Sequence, residues 1–273
     1  MMDRLVRILD LLSTNDCIKV NLLAELLDVS PVTLRRDLDQ LEKKGIIRRT
    51  HGYAHLDNTD DTGKRIAFSH SIKRKIAKAA VNMVVDGESV MVESGSCCVL
   101  FAEELALSGK NAVITTNSAF LANYVCKLPG VKIILLGGYL QPESQVLVGP
   151  MTTKNAGDLF FDKFFLGTDG FIPGFGFTGR DHYRVDTALG LAKFAKKIYI
   201  LTESAKFSRR GTNSLFQLDK ITGVITDDKI PKEAENDLTA NNVKLIKVSA
   251  AEEKIKWRQY PGRPPFLFTD KNN

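Results

Sequence analysis

Two sets of side chains in this 273-residue sequence have types and spacing suited to chemistry. In the first, Ser30, Val32, Thr33, Arg35, Arg36 and Gln40 follow one another in a stretch of helical periodicity, with Arg48, Arg49 and His51 just beyond it. A guanidinium can donate twice to guanine, a glutamine amide can pair with adenine, and a valine methyl can touch the methyl of thymine. Cations beside such a face contact phosphates, which position a module without reading its sequence. A solvated helix face is the plainer account of the same residues.

The second set is spread further. Glu93-Ser94-Gly95-Ser96-Cys97-Cys98 follows the apolar run Ser89 to Val92 and leads into a helical pattern. A turn of small residues entering a helix offers free amides and a positive dipole end, which favour a phosphate. Asn117, Gly137-Gly138, Asp169 and Lys206 likewise lie just after short apolar segments, and Lys206 can neutralise an anion. Taken singly, these are ordinary turn glycines and a solvated lysine. Taken together, they converge if the segments before them are strands of one sheet.

The first set sits on short helices and strands. Leu5, Ile8, Leu9 and Leu12 recur at helical spacing and predict a helix from about Asp3 to Ser13, which Asn15-Asp16 breaks. A second helix is expected from Val20 to Leu27. Ser30-Pro31 is a strong start for a third, because serine accepts from first-turn amides and proline there loses no hydrogen bond. Its stripe of Leu34, Leu38 and Leu41 is a core face, and Lys43-Lys44-Gly45 ends it. Ile46 to Tyr53 reads as two short strands with a basic tip. Three helices and a hairpin make a winged helix-turn-helix over residues 1–56, with the third helix as the recognition helix.

Residues 57–70 open on the polar Asp57-Asn-Thr-Asp-Asp-Thr-Gly63 and read as a linker. Beyond it, a helix from about Ser71 to Val85 precedes apolar runs at Ser89 to Val92, Ala112 to Thr115, Lys132 to Leu136, Lys163 to Leu166, Ile198 to Leu201 and Ile221 to Ile225, with helical segments between most of them. This alternation predicts an α/β domain over residues 71–250 with a mostly parallel sheet. Ligands in such sheets sit at the carboxyl ends of the strands. Residues 251–273 form a tail that would pack at a subunit interface or lie disordered.

Composition agrees with a two-domain soluble chain: 44% hydrophobic and 26% charged residues. The net charge of +6 and pI near 9.0 permit a polyanionic partner without requiring one. Four cysteines show no disulfide-scaffold spacing and no CxxC pair for zinc, which fits a reducing cytoplasm. The N-terminus turns amphipathic at once, without an apolar signal core, and no apolar run is long enough for a membrane span. No cofactor or metal is expected.

The run Leu23 to Leu38, with Val29-Ser30, Thr33-Leu34-Arg35-Arg36-Asp37-Leu38 and the wing Arg49-Thr50-His51-Gly52, resembles the DeoR family of bacterial transcription regulators. The likeness continues to about Asp227. It implies a sensor domain resembling ribose-5-phosphate isomerase, in which Ser94, Gly95, Ser96, Cys97 and Cys98 cradle the phosphate of a sugar or sugar alcohol, with Asn117, Gly137, Gly138, Asp169 and Lys206 around it. Some features depart from the family pattern. Tyr53 stands where the wing usually has a second glycine, Glu93 where aspartate is usual, and Cys97-Cys98 in place of two threonines. The stretch Gly-Phe-Thr-Gly-Arg-Asp at 176–181 resembles a smaller subgroup and makes Arg180 a further candidate for the anion.

The reading that joins both sets is a DNA-binding repressor of carbohydrate genes, relieved or modulated by a sugar phosphate. It would act as a homo-oligomer on double-stranded operator DNA. A sugar-phosphate isomerase-like enzyme with an N-terminal binding module is the alternative. It is disfavoured because the loop Thr168-Asp169-Gly170-Phe171-Ile172 carries one acid where the isomerases carry several. A protein-interaction adaptor is the third reading, distinguished by the salt dependence of DNA binding.

Overall fold

The computed structural model describes residues 2–14, 17–57 and 60–251. Two compact units meet in sequence between Ser71 and Ile72. The Asn15-Asp16 break and the tail beyond residue 251 lie outside the described residues.

The N-terminal unit runs α1 (Met2–Thr14), β1 (Ile18–Lys19), α2 (Val20–Leu27), α3 (Pro31–Lys43), β2 (Ile47–Thr50), β3 (Tyr53–Leu56) and α4 (Thr62–Ala67). Its core is the expected one: Leu5, Ile8, Leu9 and Leu12 of α1 meet Leu23 and Leu27 of α2 and Leu34, Leu38 and Leu41 of α3. Asp28 takes a left-handed conformation, φ 52°, and stops α2. Ser30 caps α3 by accepting from the Thr33 amide at 3.2 Å. The hairpin β2–β3 is antiparallel, and β1 adds a third strand by pairing Ile18 with Ala54.

Part of the segment expected to be linker is helical. Asp61 accepts from the Lys64 amide at 3.0 Å and starts α4. Ala67 then buries in the helical core, with Phe68 against it. The polar run 57–63 hid this helix, whose apolar residues come only at its end.

The second unit runs α5 (His70–Val81), β4 (Ser89–Val92), α6 (Ser96–Leu107), β5 (Ala112–Thr116), α7 (Ala119–Val125), β6 (Val131–Leu135), β7 (Tyr139–Gln141), β8 (Val146–Val148), α8 (Pro150–Asn155), β9 (Lys163–Leu166), β10 (Gly170–Ile172), β11 (Gly176–Gly179), α9 (His182–Ala192), β12 (Ile198–Leu201), β13 (Asn213–Gln217), β14 (Gly223–Asp227), α10 (Lys232–Ala240) and β15 (Lys244–Val248). Helix α5 thus begins two residues before the boundary.

Seven strands form one sheet in the order β15-β14-β12-β9-β4-β5-β6, and every pairing in it is parallel. Central strands buried on both faces read as continuous apolar runs, and all four residues of β9 are buried. Helix α6 is buried nearly all round, which explains its uniformly apolar sequence. Strands β10, β11 and β13 form a separate antiparallel sheet, and β7–β8 a hairpin.

From β4 the chain winds outward through β5 to β6, then returns to β9 on the other side of β4 and winds outward again through β12, β14 and β15. The strand order therefore reverses between β4 and β9. In open parallel sheets, the crevice beyond the carboxyl ends at such a reversal is where ligands bind.

Candidate functional site

On α3, Val32 is 67% exposed, and Arg35 and Arg36 are also exposed. Thr33 and Gln40 are half-buried, while the cap residue Ser30 is exposed with its hydroxyl 2.9 Å from that of Thr33. Arg48 and His51 are exposed on the wing, with His51 in the hairpin turn at φ 49°. An open concavity of about 630 Å³ separates wing and helix, lined by Lys19, Arg35, Arg49, His51, Gly52 and Tyr53 among others. Lys19, absent from the sequence-based set, lies 5.7 Å from the centre of the Tyr53 ring.

Arg49, expected to contact phosphate, also pairs with two acids of α3. Its amide donates to Glu42 Oε1 at 2.8 Å, its Nε to Glu42 Oε2 at 2.9 Å and its Nη2 to Asp39 Oδ1 at 2.6 Å. The hydrogen bonds from Arg49 hold the Glu42 carboxyl below its ordinary range. This pairing ties the wing to the last turns of α3. On the opposite side of α3, Asp37 is buried and accepts from Arg4 Nε at 2.5 Å and Nη2 at 3.1 Å, so the acid within the Arg35-Arg36-Asp37 run holds α3 to α1.

In the second unit, the residues expected around a ligand follow strands that are neighbours in the sheet. Gly137-Gly138 follows β6, Asn117 follows β5, Ser94 to Cys98 follow β4, Asp169 follows β9 and Lys206 follows β12. Strands lie about 4.8 Å apart. The set from Asn117 to Lys206 therefore spans about 14 Å across the reversal, and the two glycines lie a further strand out. At Gly138, φ is 153° and an added Cβ would stand 1.9 Å from Thr152 Oγ1, so packing on α8 already demands glycine there.

The loops after β4 and β9 touch. A Cβ on Gly95 would come within 3.3 Å of Gly167 Cα and 3.2 Å of Glu93 Oε2. Glu93 closes this junction: its Oε1 accepts from Ser94 Oγ at 2.5 Å, and its Oε2 from the Gly95 amide at 2.8 Å and the Gly167 amide at 3.4 Å. One amide of the expected cradle, that of Gly95, thus already holds a carboxylate. Ser94, Ser96, Cys97 and Cys98 are buried.

A second carboxylate sits beside α6. Glu203 Oε2 accepts from Cys97 Sγ at 3.5 Å, and Lys73 Nζ of α5 lies 3.6 Å from Glu203 Oε1. Burial would raise the Glu203 pKa, but the charges of Lys73 and Lys206 outweigh it and hold it at about 2. Burial, with Glu203 alongside, pushes the Cys97 thiol well up, which disfavours the thiolate that redox chemistry needs. Lys206 is carried by a 3₁₀ turn, Ser204–Ser208. Two contacts fix that turn: the Ser204 amide donates to the buried Asp227 at 2.7 Å, and Phe207 packs on Phe171 and Phe177.

Asn117 Nδ2 donates to the Leu147 carbonyl at 3.0 Å, and its buried Oδ1 has no hydrogen-bond partner. Asp169 Oδ2 accepts from the Arg180 amide at 2.9 Å, which leaves the Arg180 side chain exposed at the end of β11. Phe171 is buried in the core, so the loop after β9 presents no further acid. Sequence reasoning missed Lys73 and Glu203. Lys73 lies in an otherwise ordinary amphipathic helix, and no local pattern distinguishes an inward lysine there. Among the described residues, no group of three His, Cys, Asp or Glu could hold a metal ion, and no helix is long and apolar enough to cross a membrane.

A family model described as the DeoR C terminal sensor domain matches residues 69–228, and one described as the DeoR-like helix-turn-helix domain matches residues 4–60. The chain belongs to the DeoR family. It is a transcription regulator whose helix-turn-helix module binds DNA, and its α/β domain is a sensor rather than an enzyme. Over 252 residues it is 29% identical to a putative aga operon transcriptional repressor of Escherichia coli O157:H7, covering 90% of this chain and 93% of that one. Over 234 residues it is 30% identical to the HTH-type transcriptional regulator GolR of Listeria innocua serovar 6a, covering 84% and 92%. A lactose phosphotransferase system repressor of Staphylococcus epidermidis is 29% identical over 234 residues, covering 83% and 92%. A ribose 5-phosphate isomerase A from Methanocaldococcus jannaschii overlaps 51% of this chain and 55% of its own at 19% identity and a TM-score of 0.37, too loose to bear on the site.

Proposed function

We propose that this DeoR-family regulator is a repressor of carbohydrate-use genes whose grip on operator DNA is altered by a phosphorylated sugar or sugar alcohol. The observation that carries the reading is the crevice at the strand-order reversal. There the amide-bearing start of α6 lies next to Lys206, with Lys73 reaching the same carboxylate. Backbone amides at a helix start and lysine charges are the donors that phosphate recognition uses. The unpaired Oδ1 of Asn117 is suited to a hydroxyl donor of the sugar, and Asp169 and Arg180 stand on the far side of the same junction. Relatives named as repressors of the aga operon and of a lactose phosphotransferase system support both the sense of regulation and the class of genes.

On the DNA side, Val32, Thr33, Arg35, Arg36 and Gln40 read base edges in the major groove. Ser30, Arg48 and His51 contact the backbone. Arg49 serves the interface by fixing the wing. The repressor acts as a symmetric oligomer on paired half-sites of double-stranded DNA, in the cytoplasm. The test is binding of the purified full chain to its own upstream DNA, with and without a panel of sugar phosphates, at several salt concentrations. Tight, salt-sensitive binding that one phosphate alters is expected. Tight binding that no phosphate alters would remove the effector half of the proposal, and absence of selective binding would remove the operator half.

A further inference from the structure

We propose that Lys73 is an effector ligand held in reserve by Glu203, and that its transfer from Glu203 to the effector's phosphate is the step that reaches the DNA-binding module. The inference rests on the crevice reading above and adds to it a residue and a route.

Lys73 is only 2% exposed, and its Nζ lies 3.6 Å from Glu203 Oε1. Glu203 stands on the loop after β12, three residues before Lys206, and its other oxygen takes the Cys97 thiol in the first turn of α6. One carboxylate therefore occupies the point where two lysines and the start of α6 converge, which is where a phosphate would be drawn. A dianionic phosphate entering from the crevice competes with Glu203 for both cations. A neutral sugar has nothing with which to compete.

The consequence lies in the position of Lys73 along the chain. Helix α5 begins at His70, and its first two residues, His70 and Ser71, belong to the N-terminal unit. Lys73 is in that first turn. Lys206, by contrast, sits on a turn fixed within the sensor by Asp227 and Phe207. Both lysines would bind the phosphate, but only a change at Lys73 acts directly on the helix that leaves the DNA-binding unit. A ligand shifts an equilibrium only by its different affinity for the two states, and the exchange of Glu203 for phosphate at Lys73 is such a difference.

The test uses the full chain with inorganic phosphate, ribose 5-phosphate and glucose 6-phosphate as probes, measured by calorimetry and by operator-DNA anisotropy at saturating probe. Lys73→Met should weaken binding of the phosphate probes by about 10- to 100-fold, the loss of one charge-assisted hydrogen bond. Glu203→Gln should tighten it, by about 10-fold, by removing the competing charge. A merely structural pair would weaken binding in both variants. At saturation, the ratio of DNA affinities with and without probe should collapse towards one in Lys73→Met but persist in Lys206→Met. If Lys73→Met binds the probes as wild type does, or keeps its response at saturation, this inference fails while the crevice reading stands. If the wild-type chain binds none of the probes, the crevice reading fails and takes the inference with it.

Discussion

Replacing Glu42 separates two accounts of the wing that give opposite signs. If Arg49 is a free phosphate contact, Glu42 is merely a negative charge near DNA. Its removal then strengthens binding: at about 10 Å in water one unit charge pair is worth about 0.4 kcal/mol, roughly a twofold gain. In the structure, Glu42 instead receives the Arg49 amide at 2.8 Å and its Nε at 2.9 Å, with both side chains about a third exposed. Exposed pairs are worth up to about 1 kcal/mol, and the backbone bond puts this one near that limit, so loss of the wing's orientation should weaken DNA binding about fivefold. Alanine is a good helix former and leaves α3 intact. Arg49→Ala should weaken binding to a similar extent, and the double variant no further than either single one. Anisotropy titrations over a salt series decide the matter. A positioning arginine leaves the slope of log affinity against log salt unchanged, whereas a lost phosphate contact lowers it by about one. Tighter binding by Glu42→Ala, together with a reduced slope in Arg49→Ala, would mean instead that Arg49 contacts phosphate directly.

Other expectations are more direct. Arg36→Ala should cost about 1–3 kcal/mol of operator affinity and relax selection at one base pair, as selection over randomised half-sites would show; unchanged selection removes it from the readout. Lys206→Ala should raise the concentration of the active sugar phosphate needed to alter DNA binding by about 10- to 100-fold, read by anisotropy over a titration of that phosphate, and an unchanged midpoint places the pocket elsewhere. Alkylation by iodoacetamide, followed by mass spectrometry, should label the exposed Cys17 and Cys126 long before Cys97, whose thiol is buried and held protonated. Glu203, held at about 2, stabilises the native sensor fully above its ordinary pKa near 4.5, and this contribution is lost as pH falls towards 2. Glu203→Gln should therefore flatten the acid limb of a pH–stability profile.

What could be read in the sequence was whatever depends on local periodicity. Helices α2 and α3 begin and end where their leucine stripes, the Ser30 cap and the Lys43-Lys44-Gly45 exit place them. Strands β4, β9 and β12 coincide with their apolar runs, because a parallel strand covered on both faces has no polar side to confuse its limits. Pairings that join distant segments left no such trace. The two-residue β1 exists only because Ile18 meets Ala54. Arg4 and Asp37, Arg49 and Glu42, and Lys73 and Glu203 are each unremarkable charged residues until the fold brings them together. The reversal between β4 and β9 is likewise a property of strand order. It explains why, of all the strand ends with small residues, those at Ser94 and Asp169 lie at the centre of the crevice.

Two of the positions that bear on ligand choice are glutamates, and their geometry makes a joint argument. An amide-lined helix start and a buried lysine are poor company without an anion, since unpaired buried donors and charges are costly. Within the sensor, Glu93 accepts from the amides of Gly95 and Gly167, and Glu203 pairs with Lys73. On the proposed reading, an entering ligand must then do better than two carboxylates already in place. A monoanionic sugar acid would exchange one carboxylate for another at no electrostatic gain and would lose binding to the cost of displacing it. A phosphate monoester carries a charge of nearly two at neutral pH and three acceptor oxygens, so it gains where the sugar acid cannot. The displacement cost falls on both ligands alike, so the larger charge of the phosphate facing Lys73 and Lys206 sets the class. Removing both carboxylates, in Glu93→Gln with Glu203→Gln, lifts more repulsion from a dianion than from a monoanion and should widen the preference for a sugar phosphate over the corresponding sugar acid, as paired calorimetric titrations would show. A preference no wider than in the wild-type chain would mean that the discrimination is made by other groups.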